Sequence, residues 1–493
     1  MPGEWFVYGM LIVPAAAGGI CLLLRSTRAV WLTICAAVGF SAVLAGVVVA
    51  SVFGAAPLLA AGGWISVDAL SAWHLTVLMI VFLLSSVYGV VYFRAETGTA
   101  GLNLAQTRRY GALWLGSLAA MTVVLVSNNL GIMWVGIEAT TLLTAFLICI
   151  HVSPASLEAM WKYLIVCSVG VAFAFIGTLL VAASAAGLNL PPSETLLWTQ
   201  LRGVATQLDP ALMKMAFLFL LVGYGTKAGL APMHNWLPDA HSQAPAPVSA
   251  VFSGFMLNAA LYCIIRYVPL VEAATGASGW SLGLLSFFGL LSILISAAFI
   301  ILQHDAKRLL AYHSVEHIGI IALGVALGGI GVFAALFHTL NHSVCKTLGF
   351  FSAGRLGQKY GTHDMTRMAG AFRITPWWGG GFFVSLLALI GVAPFAIFMS
   401  EFQILKAAVD RQAMATLILF MVGTGIVFVG ALRHGILVAW GEEVEPPRAE
   451  RTSAVEIALV VAPLAALLFL GLWMPAPLRS AIQAAAAIVE GHP

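Results

Sequence analysis

Apolar runs of about 20 residues, each long enough to cross a hydrocarbon core of about 30 Å as a helix, recur along the whole chain between short polar stretches. Fourteen such spans are expected, at about 5–25, 30–54, 68–93, 109–127, 130–152, 161–187, 210–241, 245–268, 280–302, 308–328, 331–356, 374–411, 413–439 and 454–475. A membrane barrel would instead show short strands of alternating polarity. The opening stretch "MPGEWFVYGMLIVPAAAGG" has no basic start and carries Glu4, so it reads as a retained first span rather than a cleaved signal peptide.

Two spans break the pattern. The seventh, with "GYGTKAGLAPMHNWLPDAH", is too long for one crossing and is interrupted by Gly229, Pro232 and Pro238; the twelfth breaks at "GVAP", with Gly391 and Pro394. Proline removes a backbone donor, and the freed carbonyls are tolerated at membrane depth only against protein or a wet cavity. The breaks lie 162 residues and five spans apart, so the second helix runs opposite to the first. That spacing predicts an all-α polytopic membrane fold with two inverted five-helix repeats and discontinuous helices. The predicted plan is one membrane domain over 1–493: a three-helix segment at 1–108, repeats at 109–268 and 280–439, and a last crossing at 454–475. Two ordinary proline-kinked helices are the competing reading.

Composition agrees with the pattern: 61% of the 493 residues are hydrophobic and 9% charged, against roughly 25% charged in a soluble domain. Loop charge sets the orientation. One set of alternate loops holds Arg25, Arg28, Arg94, Arg108, Arg109, Lys162, Lys307, Arg308, Arg355, Lys359, Arg367, Arg373, Arg448 and Arg451; the other holds Arg202, Arg266, Arg411 and Arg479. Both termini are therefore expected on the non-cytoplasmic side of a bacterial inner membrane. The six cysteines fall within spans and form no C-x-x-C pair, and no glycine-rich nucleotide loop follows a strand. Redox chemistry or ATP hydrolysis by this chain alone is not expected, nor is a cofactor, a metal or a nucleic-acid partner.

Charges also fall at span depth: Glu138, Lys227, Glu316, Lys346, Glu401 and Lys406, with His317, His338 and His342 beside them. Each costs about 2.5–3.5 kcal/mol near the bilayer centre, so all six left unpaired would cost on the order of 15–20 kcal/mol. They must pair, lose charge or meet internal water. Spacings of four residues put His338, His342 and Lys346 on one helix face, about 6 Å apart along the axis, a separation for bridging water rather than direct transfer. Such a row can pass protons, since histidine titrates near neutrality. Other readings stay open: a structural polar row, or an H-x-x-x-H metal pair that lacks a third ligand nearby in sequence. Glu316 and His317 extend the row or form a helix–helix hydrogen bond. Lys406 joins it or snorkels to an interface. His234, Asp239 and His241 line a proton entrance or cap the broken helix.

Five stretches, "WVGIEATTL" (134–142), "KAGLAPMHNWLPDAHSQAPAPVSA" (227–250), "LLAYHSVEHIGI" (309–320), "HTLNHSVCKTLGFF" (338–351) and "APFAIFMSEF" (393–402), resemble the antiporter-like proton-channel family shared by respiratory complex I, Mrp-type cation/proton antiporters and membrane-bound hydrogenases. "IEATTL" with "SVEHIGI" is most similar to the component F branch of hydrogenase-4, found in group 4 nickel–iron hydrogenase and formate hydrogenlyase complexes. The resemblance, over about residues 60–440, implies a fourteen-helix subunit that moves protons while other membrane and peripheral subunits perform the redox reaction. Iron–sulfur clusters with nickel–iron, or flavin and quinone, are implied in those partners. By motif match Glu138 pairs with Lys227, His338, His342 and Lys346 form the central hydrophilic axis, and Glu401 is the acid of the second broken helix. Asn258 departs from the pattern, standing where many relatives carry lysine, which would route the relay through His317 or water. Little chain follows the fourteenth span, so the long lateral helix of the distal complex I subunit is not expected. An autonomous Na⁺(K⁺)/H⁺ antiporter of Mrp type is the alternative.

Overall fold

The computed structural model describes residues 2–96, 101–188, 190–191, 193–442 and 452–491; Arg448 and Arg451 of the charge comparison lie outside the described residues. Helices α1 (Pro2–Leu23) and α2 (Thr27–Gly54) lead into a small antiparallel hairpin of β1 (Leu58–Ala60) and β2 (Ile65–Val67). Then come α3 (Ala69–Ala95), α4 (Leu104–Val126), α5 (Leu130–Ile148), α6 (Pro154–Ser184), the short α7 (Trp198–Gly203), α8 (Pro210–Ala228) and α9 (Leu237–Gln243). Helices α10 (Ala246–Val251) and α11 (Leu257–Ala274) join through one π-helical turn at Phe252–Met256. The rest is α12 (Trp280–Ile300), α13 (Ala306–Leu327), α14 (Ile330–Tyr360), α15 (Ala371–Ile374), α16 (Pro376–Leu389), α17 (Ala396–Asp410), α18 (Met414–Trp440), α19 (Ala454–Leu472) and α20 (Ala476–Val489). Helix starts carry the chemistry their orphan N–H groups require. Asn103 with Gln106, Ser153 with Ser156 and Ser453 with Glu456 form reciprocal capping boxes, and Asp209 caps α8 with Pro210 in its first turn.

Twelve stretches among the described residues are long and apolar enough to cross a membrane: α1 to α6, α8, α10–α11 as one, α12, α13, α18 and α19. The other two expected crossings are α14, 31 residues long but rich in polar side chains, and the interrupted α16–α17. Burial separates centre from rim. The most apolar stretch of α10–α11 is 100% buried and that of α13 94%, against 28% for α1, α18 and α19. The two central crossings and α14, buried almost continuously from Gly331 to Gly357, therefore meet protein instead of lipid. Small residues let helices approach: a Cβ on Gly319 of α13 would lie 2.6 Å from the carbonyl oxygen of Gly289 in α12.

Both interruptions fall at the glycines and prolines expected. Gly229 (φ +80°) ends α8 and Gly391 (φ +68°) follows α16, and the Ala231–Pro232 and Ala393–Pro394 peptides are cis. Neighbouring helices take up the freed backbone. Ser292 Oγ accepts from Ala231 N at 2.9 Å, and Asn341 Nδ2 donates to Ala396 O at 3.0 Å. The connections gather at two ends of the bundle. At one, Asn128 Nδ2 donates to Gly63 O at 2.7 Å and Trp198 Nε1 to Arg266 O at 2.8 Å. At the other, Ala306 N donates to His363 O at 2.9 Å. The hairpin, α7, the π turn and α20 were not expected from the hydropathy pattern.

Candidate functional site: a buried row of ionisable side chains

Lys227 occupies the last turn of α8, just before the break, and is fully buried. Its Nζ donates to Thr141 Oγ1 at 3.0 Å and to the hydroxyl of Tyr163, and stands 4.6 Å from the centre of the Tyr163 ring. The Tyr163 hydroxyl also meets Thr144 Oγ1 at 2.7 Å. Glu138, half-buried on α5, accepts from Ser168 Oγ at 2.8 Å through Oε1, while its buried Oε2 has no partner. The expected Glu138–Lys227 ion pair is thus corrected: no direct bond joins the two, and Thr141, one turn along α5 from Glu138, takes the ammonium instead. Hydroxyls and an aromatic face satisfy Nζ without a second full charge.

Within the break, His234 is buried with Nδ1 unpartnered, edge-on to Tyr312 at 6.2 Å. His241, on α9, is fully buried with neither ring nitrogen bonded, and stacks on Phe350 at 5.1 Å. Phe350 also neighbours Lys346, whose Nζ is 5.6 Å from that ring and donates to Leu310 O. So His241 joins the broken helix to the α14 row. Three cations hold α9 in place. Asp239 pairs with Lys162 and, at 2.5 Å, with Arg308, and Lys307 Nζ donates to Ser242 O and Ala244 O at 2.8 and 2.6 Å, where the helix leaves carbonyls free.

On α14, His338, His342 and Lys346 are fully buried, as their shared face requires. The expected water-sized gaps are only partly present, because His317 of α13 inserts beside them. Its Nδ1 meets His338 Nε2 at 2.8 Å and its ring lies 5.2 Å from that of His342. His338 Nδ1 is 2.9 Å from Ser400 Oγ, and that hydroxyl donates to Ile397 O at 2.8 Å. Ser400, His338 and His317 thus form one hydrogen-bonded chain that can run in either direction according to which ring nitrogens carry the protons, with His317 Nε2 at its end. That nitrogen and both nitrogens of His342 are buried without a partner. Glu316, expected in the row or in a helix–helix bond, instead pairs within α13 with His313 Nδ1 at 2.9 Å. Asn258 Nδ2 donates to Gly254 O at 3.0 Å beside the π turn.

Glu401, half-buried on α17, turns its carboxylate onto Gly391, leaving no room for a Cβ there. One ligand-type atom from each of His317, His338 and Glu401 lies within 4.8 Å of the others. Lys406 is corrected: it is exposed near the end of α17 and pairs with Asp410 at 2.5 Å, outside the row. Sequence reasoning missed His313, Tyr163, Thr141 and Ser400. The i, i+3 spacing of His313 and Glu316 was the one available signal.

Residues 127–427 match the transmembrane family described as NADH:quinone oxidoreductase/Mrp antiporter. The chain belongs to this family. It is 38% identical over 352 residues to a hydrogenase-4 component F homolog of Methylacidiphilum infernorum, covering 71% of this chain and 74% of that one. Against hydrogenase-4 component B of Escherichia coli it is 29% identical over 383 residues, covering 75% of this chain and 55%, about half, of that longer protein. A solved chain of the Mrp complex from Dietzia sp. superposes with a TM-score of 0.88 at 22% identity, over 99% of this chain and 98% of that one, which is a likeness of fold.

Proposed function

We propose that the chain is the proton-translocating membrane subunit of a redox-driven complex, of the group 4 nickel–iron hydrogenase or formate hydrogenlyase type or a complex I-like NADH:quinone oxidoreductase. The observation that carries this reading is the sequence of titratable groups, buried from Lys227 through His241, Lys346, His342, His317 and His338 and ending at the half-buried Glu401, that runs between the two discontinuous helices. Its unpartnered nitrogens are sites for water, which polar groups at this depth require. Relatives named as hydrogenase components support a multi-subunit setting, in which iron–sulfur clusters with nickel–iron or flavin and quinone would belong to partner subunits. Glu138 and Glu401, the half-buried carboxylates at the ends of the row, would meet those neighbours. The loop charges support a bacterial inner membrane with both termini on the non-cytoplasmic side.

In the mechanism a neighbouring subunit changes the distance between Glu138 and the Lys227–Tyr163–Thr141 cluster. The proton leaves Lys227 by water toward His241 and Lys346, and passes His317 and His338 by reversal of their hydrogen-bond chain before reaching Glu401. In the intact complex reconstituted in vesicles, Lys227→Ala and Lys346→Ala should each abolish proton pumping while electron transfer persists. Undiminished pumping by either variant removes that lysine from the path.

Autonomous Na⁺(K⁺)/H⁺ exchange of Mrp type is the alternative, drawn from the same family. The row offers imidazoles and ammonium groups rather than the oxygen cage that hard cations need. Cation-dependent pH change in vesicles holding this chain alone would reverse the preference.

A further inference from the structure

Around His317 the fold assembles more metal-ligand chemistry than a proton relay uses. "HSVEH" (313–317) puts His313, Glu316 and His317 within one turn of α13; His338 comes from α14 and Glu401 from α17. One ligand-type atom from each of His313, Glu316 and His317 lies within 4.8 Å of the others, and so do those of His317, His338 and Glu401, making His317 common to both sets. His313 Nε2 and His317 Nε2, in fully buried side chains, have no hydrogen-bond partner. His338 is oriented from behind by Ser400 and His313 by Glu316, the second contact that fixes the tautomer of a ligating imidazole.

We propose that His317, His338 and Glu401, backed by His313 and Glu316, form a binding site for a borderline divalent cation of the zinc class. Two imidazoles and a carboxylate with a fourth position for water are a regular zinc donor set, and imidazole disfavours the hard ions Na⁺, Ca²⁺ and Mg²⁺. Charge agrees: the two carboxylates balance one dication, so the loaded site adds no net charge at membrane depth. Tetrahedral bonds of about 2.0–2.2 Å place ligand atoms about 3.3 Å apart, inside the 4.8 Å that bounds the present cluster. A bound ion would replace the His317–His338 hydrogen bond. That this also stops proton passage rests on the reading above, whereas the ligation does not, and the tests here read ligation alone.

The full chain, purified in detergent and stripped by a chelator, is titrated with Zn²⁺, and with Co²⁺ as a coloured substitute. One equivalent should bind, with visible Co²⁺ bands of a four- or five-coordinate site. Glu401→Gln and His338→Gln should each weaken binding by at least roughly 10-fold, the smaller loss already seen when a partner of a ligand is removed. His151→Gln, in the connection between α5 and α6, should not. X-ray absorption at the zinc edge of the unaltered protein needs no variant and should show at least two imidazoles with oxygen. No stoichiometric uptake, binding unchanged in both row variants, or a spectrum with fewer than two imidazoles overturns the site.

Discussion

Nζ of Lys227 rests on two hydroxyls and one aromatic face, so Tyr163 matters in a way no charged neighbour reveals. Tyr163→Phe keeps the ring and removes the acceptor, a loss of about 1–3 kcal/mol for a buried charged donor. Pumping by the reconstituted complex should fall while the helical fold persists; equal pumping would show the hydroxyl to be a bystander. Gly391→Ala tests the other end, since it puts a side chain at φ +68° where the Glu401 carboxylate already lies. It should lower thermal stability by about 1–2 kcal/mol and displace Glu401. A variant with unaltered melting temperature and pumping would show that the carboxylate has room elsewhere. At this scale ionisable groups were legible, because charge in an apolar run is costly and therefore conspicuous. Thr141 and Ser400 were not, because membrane helices routinely carry hydroxyls bonded to their own carbonyls, as Thr140 and Ser343 are here.

Helix breaks could be read in advance because glycine at positive φ and proline without a donor leave a helix few alternatives. What holds the pieces could not. The α9 segment is fixed by Lys162, Lys307 and Arg308, residues that the loop-charge comparison treated only as markers of sidedness. Asp239→Asn would leave two of them facing a neutral amide. Because these side chains are partly solvent-exposed, the expected cost is about 1 kcal/mol, read as a lower melting temperature and faster proteolysis near α9. Unchanged cleavage there would mean that Lys307 alone suffices. Lys406 was misplaced for a different reason: five residues from Glu401, it stands on the far side of α17 from that carboxylate, near the helix end, where it is exposed and pairs with Asp410. Helix α20 escaped because a short amphipathic segment gives no hydropathy peak of membrane length. The metal-ligand cluster escaped because its donors come from three helices, which no spacing along one of them can show.

The architecture as a whole was legible: an all-α membrane fold, two interruptions and a polar centre follow from length and polarity alone, and twelve of the fourteen expected crossings are stretches long and apolar enough to span among the described residues. The ties between distant crossings were not. Asp68, ahead of α3, and Arg266, in α11, form a buried pair 2.6 Å apart that also engages Ser71. Asp68→Asn strands the guanidinium and should cost about 3–5 kcal/mol by calorimetry; a cost below 1 kcal/mol would mean that water reaches Arg266. Sidedness belongs to this scale too. A cysteine placed at Glu4 should react with a membrane-impermeant thiol reagent added to intact spheroplasts, and reaction only after lysis would invert the orientation.

Glu138 and Glu401 sit half-buried among side chains turned to the lipid, with Val135 and Leu142 about half exposed beside the first and Phe402 beside the second. A newly made copy with nothing covering these positions presents carboxylates to acyl chains, which is costly at membrane depth. Its abundance in the cell should therefore follow the synthesis of its partners, making two glutamates a checkpoint on the order of assembly.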